Sequence, residues 1–158
     1  MKDPEALKAK FLAALDYLKQ DEHVDPARIA AIGYCYGGGV VLNMARAGVD
    51  LDGVVSFHGS LGSGNPVEKG NIKAKLLVCS GGDDKFITEQ AVEGFKKEMA
   101  DAGADLKYVT YPGATHAYSN PAATAVGKKF NMPIAYNAKA DKGSWLEMQK
   151  FFRTIFKK

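Results

Sequence analysis

A cysteine lies at the centre of Gly33-Tyr34-Cys35-Tyr36-Gly37. The stretch fits the pattern glycine, any residue, nucleophile, any residue, glycine, with sulfur where serine is usual. In that pattern the nucleophile sits on a sharp turn from strand to helix. The backbone there is strained, and glycines two before and two after keep side chains from colliding. A helix starting near Gly37 aims its positive end at Cys35, which favours a thiolate and an oxyanion. The backbone N–H of Tyr36 is the expected oxyanion-hole donor. The plain alternative is a glycine turn beside a buried cysteine. Glycines at 33, 37, 38 and 39 together are hard to explain by packing alone.

A thiol nucleophile needs a base, and the base needs an orienting acid. In strand-to-helix nucleophile folds these follow in the order nucleophile, acid, histidine. Asp84, in Gly81-Gly82-Asp83-Asp84-Lys85, and His116, in Tyr111-Pro112-Gly113-Ala114-Thr115-His116, supply that order. The roles expected are Cys35 as attacking thiolate, His116 as proton shuttle and Asp84 as the carboxylate that orients it. Asp83 is the rival acid, with Asp84 then a loop cap. His58, in Ser56-Phe57-His58-Gly59, is the rival base, or else a structural loop residue. His23, beside Asp21 and Glu22, reads as solvated. Cys79 lies inside a strand and reads as core. Two strands away from Cys35 it would be roughly 10 Å distant, too far for a disulfide.

The elements that must position these residues alternate. Asp3 can cap a helix with Pro4 at its first position, and Leu7, Phe11, Leu15 and Leu18 follow on one face. Short apolar strands are expected at 28–34, 51–57, 75–80 and 106–111. An apolar helix should follow the first strand and stop at Gly48. Thr88 can cap a helix to about 102. A last helix is expected over 144–156, with Trp145, Met148, Phe152 and Phe156 near one face. Strands alternating with helices imply a mostly parallel sheet with helices on both faces. Such sheets bind ligands at the carboxyl ends of their strands, where each chemical residue above falls.

The 158 residues, 46% hydrophobic and 25% charged, suit one globular domain and exclude disorder. Neither a membrane-length apolar run nor the apolar stretch of a signal peptide is present. The net charge of +3 comes from basic residues interleaved with acids, so no nucleic-acid stripe is expected. Two cysteines cannot make a disulfide framework, and the three histidines lack zinc-like spacing with them. A free thiol at Cys35 suits a reducing cytoplasm.

The stretches Ile32-Gly33-Tyr34-Cys35-Tyr36-Gly37-Gly38, Gly81-Gly82-Asp83-Asp84-Lys85-Phe86-Ile87 and Tyr111-Pro112-Gly113-Ala114-Thr115-His116-Ala117-Tyr118 resemble the dienelactone hydrolase family of α/β-hydrolases. Tyr136-Asn137-Ala138-Lys139-Ala140-Asp141 and Ser144-Trp145 are similar to a bacterial branch. The likeness covers nearly the whole chain. It implies a Cys-His-Asp triad at Cys35, His116 and Asp84, and hydrolysis of an enol-lactone ring through an acyl-enzyme thioester. It implies no metal or organic cofactor. Lys85 stands where the family usually has proline, and Tyr118 where it has phenylalanine.

The resemblance also implies an absence. The family's first strands, its second oxyanion donor, its substrate-carboxylate arginines and an acidic residue near the resting thiol have no counterpart here. Residues 1–158 therefore read as one partial α/β-hydrolase domain lacking its N-terminal strands. The strand at 28–34 should then be an apolar sheet edge that invites pairing with a missing segment or another chain. Three readings follow: a lactone or ester hydrolase of small carboxylated substrates, a broader carboxylesterase or thioesterase, and a weakly active fragment that assembles with a partner. Lys85, Lys128, Lys129, Lys139 and Lys142 fall in loops near the site, either steering anions or simply solvated. The long irregular stretch 117–143 is expected to be a cover over the thiol or a surface excursion.

Overall fold

The computed structural model describes residues 3–63 and 67–157; Met1 and Lys2 of the polar start lie outside the described residues. Its centre is two strands buried at every position but Lys75, β2 (Gly53–Phe57) and β3 (Lys75–Gly81). Val, Leu and Phe at consecutive positions suit strands covered on both faces, as in a parallel sheet. β1 (Ala30–Tyr34) and β4 (Leu106–Tyr111) flank them, in the order β1-β2-β3-β4, all parallel. The register pairs Tyr34 with Phe57, Phe57 with Cys79 and Gly81 with Tyr111, so the carboxyl ends form one rim.

The period-2 alternation of the strands divides the core into two layers. Val54, Leu76 and Val78 face one side, where α1 (Pro4–Lys19), α2 (Tyr36–Arg46) and α3 (Glu89–Asp101) bring Leu15, Leu42, Met44, Phe95 and Met99. Val55, Phe57, Leu77 and Cys79 face the other, under Met148, Phe151 and Phe152 of α5 (Ala138–Ile155). The caps are local. Asp3 accepts the Ala6 N–H at 2.9 Å, Thr88 accepts the Ala91 N–H at 3.1 Å, and Gly48 turns away from α2 at φ +71°. Leu18, expected on the buried face of α1, is exposed past the end of the core.

Two expectations change at the C-terminal end. The stretch 117–143 is not irregular: it holds α4 (Ala123–Phe130) and the first turns of α5. α5 begins six residues before the expected 144, because Asn137 accepts the Ala140 N–H at 3.1 Å as an N-cap. Its buried stripe then runs through Ala140, Ser144 and Met148 and leaves Trp145 exposed. Gly127 on α4 passes the Ile134 carbonyl so closely that a Cβ would sit 2.3 Å from it.

β1 is the outer strand of the sheet. Among the described residues no strand pairs with its free edge. On the α5 side of the sheet its Ile32 and Tyr34 remain 43% and 41% exposed. No helix of the described residues is long and apolar enough to cross a membrane.

Candidate active site

β1 runs directly into α2, and Cys35 occupies the turn between them at φ 51°, ψ −118°. A non-glycine residue in this left-handed region is strained and is held there by its surroundings. Gly33 permits the turn, since a Cβ on it would lie 2.1 Å from the Gly37 carbonyl oxygen. The second close approach falls at Gly38, not at Gly37 as the motif suggests. A Cβ at Gly38 would meet Ser56 Oγ at 2.6 Å and the Gly59 Cα at 2.9 Å, whereas one at Gly37 would meet nothing within 4 Å. Cys35 itself is exposed, so the stretch after His116 does not cover the thiol. As the residue that opens α2, Tyr36 has an amide without an acceptor inside the helix.

The loops after β3 and β4 lock together. Gly82 N–H donates to the Tyr111 carbonyl at 2.8 Å, and Asp83 N–H donates to the Ala114 carbonyl at 2.9 Å. This brings His116 between Asp84 and Cys35. His116 Nδ1 is 2.8 Å from Asp84 Oδ2, and His116 Nε2 is 3.1 Å from Cys35 Sγ. A carboxylate only accepts, so Nδ1 carries the proton toward Asp84. The Asp84 side chain is fully buried, and its Oδ1 accepts the Phe86 N–H at 2.9 Å. The hydrogen bond to Asp84 raises the His116 pKa to about 9, with a further push from Cys35 and against the opposing effect of burial. The edge of the Phe86 ring packs against His116, centroids 5.0 Å apart.

The rival residues lie elsewhere. Asp83 is exposed and makes no side-chain bond to a histidine. His58 does not face the thiol; its Nδ1 accepts the Cys35 N–H at 3.2 Å from behind the turn. His23 is exposed beside Asp21, 3.1 Å away. Cys79 is buried, and desolvation pushes its thiol up to about 12. Of the five lysines, only Lys85 is on a loop. Lys128 and Lys129 end α4, and Lys139 and Lys142 begin α5. Among the described residues no three His, Cys, Asp or Glu side chains are grouped to hold a metal. Sequence reasoning missed the contact of His58 with the Cys35 amide and the anchoring of the His116 loop by Tyr118. The latter is fully buried, with its hydroxyl 3.4 Å from the Cys79 carbonyl.

Comparison with known proteins bears on the whole chain. The sequence profile described as "Dienelactone hydrolase family" matches residues 1–156. The chain belongs to the dienelactone hydrolase family. It is 31% identical over 157 residues to an uncharacterized protein of Caenorhabditis elegans, covering 95% of this chain and 94% of that protein. A Methylorubrum extorquens protein provisionally named a carboxymethylenebutenolidase is 28% identical over 149 residues, with 89% of this chain but only 48% of that protein covered. The crystal structure of a dienelactone hydrolase-like promiscuous phosphotriesterase from metagenomic libraries superposes with a TM-score of 0.87 at 31% identity. It covers 99% of this chain and 64% of that one. The Bacillus cereus carboxylesterase, at 15% identity and a TM-score of 0.68, shares the fold. The chain thus spans about half the length of the carboxymethylenebutenolidase relative, 48%, and less than two thirds of the phosphotriesterase. It is a mostly parallel α/β-hydrolase sheet flanked by helices.

Proposed function

We propose that residues 1–158 form a single partial α/β-hydrolase domain that cleaves the ester or lactone bond of a small carboxylate-bearing substrate by a Cys35-His116-Asp84 triad. The observation that carries the reading is the continuous chain from Cys35 Sγ through both nitrogens of His116 to Asp84, at 3.1 and 2.8 Å. Family membership supports the reaction class, and the family's name supports a dienelactone as the substrate type.

The chemistry follows from the atoms. His116 takes the Cys35 proton and becomes an imidazolium that Asp84 stabilises. The thiolate attacks the acyl carbon, and the carbonyl electrons move onto oxygen, toward the Tyr36 amide and the positive end of α2. The tetrahedral intermediate collapses with cleavage of the carbon–oxygen bond. His116 protonates the leaving alkoxide or enolate, which in a lactone stays tethered to the acyl group. Neutral again, His116 draws a proton from water as water attacks the thioester, and the acid leaves with the thiol restored. Sulfur, imidazole and carboxylate suffice, so no cofactor takes part. An exposed thiol in this role must stay reduced, which favours the cytoplasm.

The test is hydrolysis of a chromogenic acetate ester by the chain and by Cys35→Ala, with intact mass after quenching. The expected result is a thiol-dependent rate and an acetyl adduct on Cys35. Equal background rates with no adduct would overturn the reading. Substrate class is read by comparing neutral and carboxylated esters: a preference for the carboxylated one that fades with salt is expected if Lys85 and the lysines of α4 and α5 steer it. No such preference would leave a broader carboxylesterase or thioesterase.

A second reading has its own observation. The free edge of β1, with Ile32 and Tyr34 exposed, suits pairing with a strand of another segment or chain. In that case the domain is weakly active alone and gains activity on assembly. Sedimentation with Ile32→Lys as control checks it: a self-association lost in the variant is expected, and a monomer whose hydrolysis is fully active would refute it.

A further inference from the structure

Directly behind the nucleophile lies a histidine that the proposed reaction does not use. His58 follows β2 as Cys35 follows β1, and it too has a left-handed backbone, φ 40°. It is only 3% exposed. Its own N–H donates to the Cys79 carbonyl at 2.8 Å, which extends the ladder of the sheet by one step. Its ring then turns back toward the elbow. Nδ1 lies 3.2 Å from the Cys35 amide nitrogen, and Nε2 lies 2.8 Å from Ser119 Oγ on the His116 loop.

The hydrogen bonds fix the ring's protonation. A backbone N–H can only donate, so Nδ1 must be an acceptor and bare. The ring proton is then on Nε2 and is given to Ser119. An imidazolium would place an N–H against the Cys35 N–H, so the contact exists only for the neutral ring. The groups facing it agree. His116 lies 5.2 Å away between ring centroids, Tyr34 at 6.0 Å and Tyr118 at 5.1 Å, with Asp84 beyond His116 and Cys35 in front. Asp84 favours a cation on His58, but burial and the His116 charge outweigh it and bring the His58 pKa down to about 4.

We propose that His58 is a positioning residue for the nucleophile: its neutral ring ties the Cys35 amide to Ser119, so that one side chain couples the turn carrying sulfur to the loop carrying His116. The inference rests on the hydrolase reading for its kinetic consequence, and on geometry alone for the tautomer. The Cys35 N–H is shared with the Phe57 carbonyl at 3.0 Å, so losing the ring does not orphan it. What is lost is the second anchor of a strained turn, and with it the aim of Sγ at His116.

Two measurements decide it. The first is the 15N NMR tautomer of His58 in the unaltered chain, assigned by the signal that vanishes in His58→Asn. A neutral ring with the proton on Nε2 at neutral pH is expected. A proton on Nδ1, or a cation, overturns the proposal. The second compares His58→Asn with His58→Gly. Both residues tolerate φ 40°, but only asparagine offers an oxygen near the Nδ1 position. The glycine variant should lose about tenfold or more in kcat with little change in KM, and in the rate of Cys35 alkylation by iodoacetamide. Asparagine should restore most of both. Equal behaviour of the two variants, or a loss confined to KM, overturns the positioning role. If the unaltered chain shows no thiol-dependent esterolysis, the hydrolase reading falls, while the tautomer and the alkylation rates still judge His58.

Discussion

Replacing Asp84 with asparagine removes one charge from the buried end of the proposed triad and changes almost no volume. Asp84 now serves two donors at once: His116 Nδ1 at 2.8 Å through Oδ2, and the Phe86 amide at 2.9 Å through Oδ1. Asparagine has one oxygen and one NH2, so it cannot serve both. If the oxygen stays on Phe86, the NH2 faces Nδ1, which must become an acceptor. The ring proton then moves to Nε2, facing Cys35 Sγ, and His116 can no longer take the thiol proton. If the oxygen turns to His116, the Phe86 amide loses its acceptor, at a cost of ~1–3 kcal/mol. The first arrangement disables catalysis and the second destabilises the loop.

The size of the effect follows from His116. Its pKa rises from 6.5 to about 9, and the bond to Asp84 is the largest cause. A rise of that size corresponds to ~3 kcal/mol favouring the imidazolium. Without the carboxylate, burial pulls the ring back toward its ordinary value or below it. Loss of a charge-assisted bond alone predicts ~10²-fold in kcat, and inversion of the tautomer carries it toward ~10⁴-fold. The assay is the pH dependence of kcat/KM on a chromogenic ester, with the His116 titration followed by NMR. Asp83→Asn is the control. Its carboxylate is exposed and holds no histidine, so it should stay within about twofold of the parent. An Asp84→Asn chain with parental kcat and an unmoved His116 titration would refute the reasoning, as would a larger loss at Asp83.

Gly38→Ala should destabilise the chain by ~1–3 kcal/mol in urea, because its Cβ would press on Ser56 Oγ at 2.6 Å and on the Gly59 backbone at 2.9 Å. Gly37→Ala, in open space on the first turn of α2, should be neutral or stabilising by up to ~1 kcal/mol; the reverse ranking would refute the packing argument. Two histidines set opposite pH limbs of stability. His58 is held down at about 4, so the unfolded chain takes up its proton first as pH falls. Its contribution is complete above about pH 6.5 and is lost between there and about 4, by ~3 kcal/mol in all, a limb that His58→Asn should flatten. His116 is raised to about 9, so its contribution is complete below about 6.5 and is lost as pH rises through 9. Urea midpoints across that range read both limbs, and a flat profile would contradict them.

What the sequence shows of this molecule is what neighbours in the chain decide. β4 occupies Leu106–Tyr111, the span expected from its short apolar run and the Pro112-Gly113 turn that closes it. Asp3 and Thr88 cap their helices because a cap needs only a side chain three residues from its donor. The same signal was present at Asn137, but Gly143 and the prolines on either side of α4 hid the start of α5 inside an apparently irregular stretch. Trp145 misled in a related way: read from residue 144 it belongs to the apolar stripe, and read from Asn137 it falls outside it.

The site divides along the same line. Cys35, Asp84 and His116 were legible as candidates because they lie one, three and five residues past the ends of β1, β3 and β4, and a parallel sheet in sequential order brings consecutive strand ends to one rim. Asp84 was the favoured acid, but the ground for setting Asp83 aside was not legible, because it is a contact between loops: the Asp83 N–H donates to the Ala114 carbonyl while the Asp84 carboxylate reaches His116. Nor was the choice between Gly37 and Gly38, which the Gly59 backbone makes from the next strand's loop. His58 is the sharpest case. A histidine after a strand can be base, ligand or filler, and residue type cannot distinguish them. The deciding facts are a ring turned by a left-handed backbone and the amide of Cys35, 23 residues earlier in the chain, which it meets as a second acceptor beside the Phe57 carbonyl. Motif spacing therefore points to the residues proposed to react. The residues that aim them are set by contacts between segments that only the folded sheet brings together.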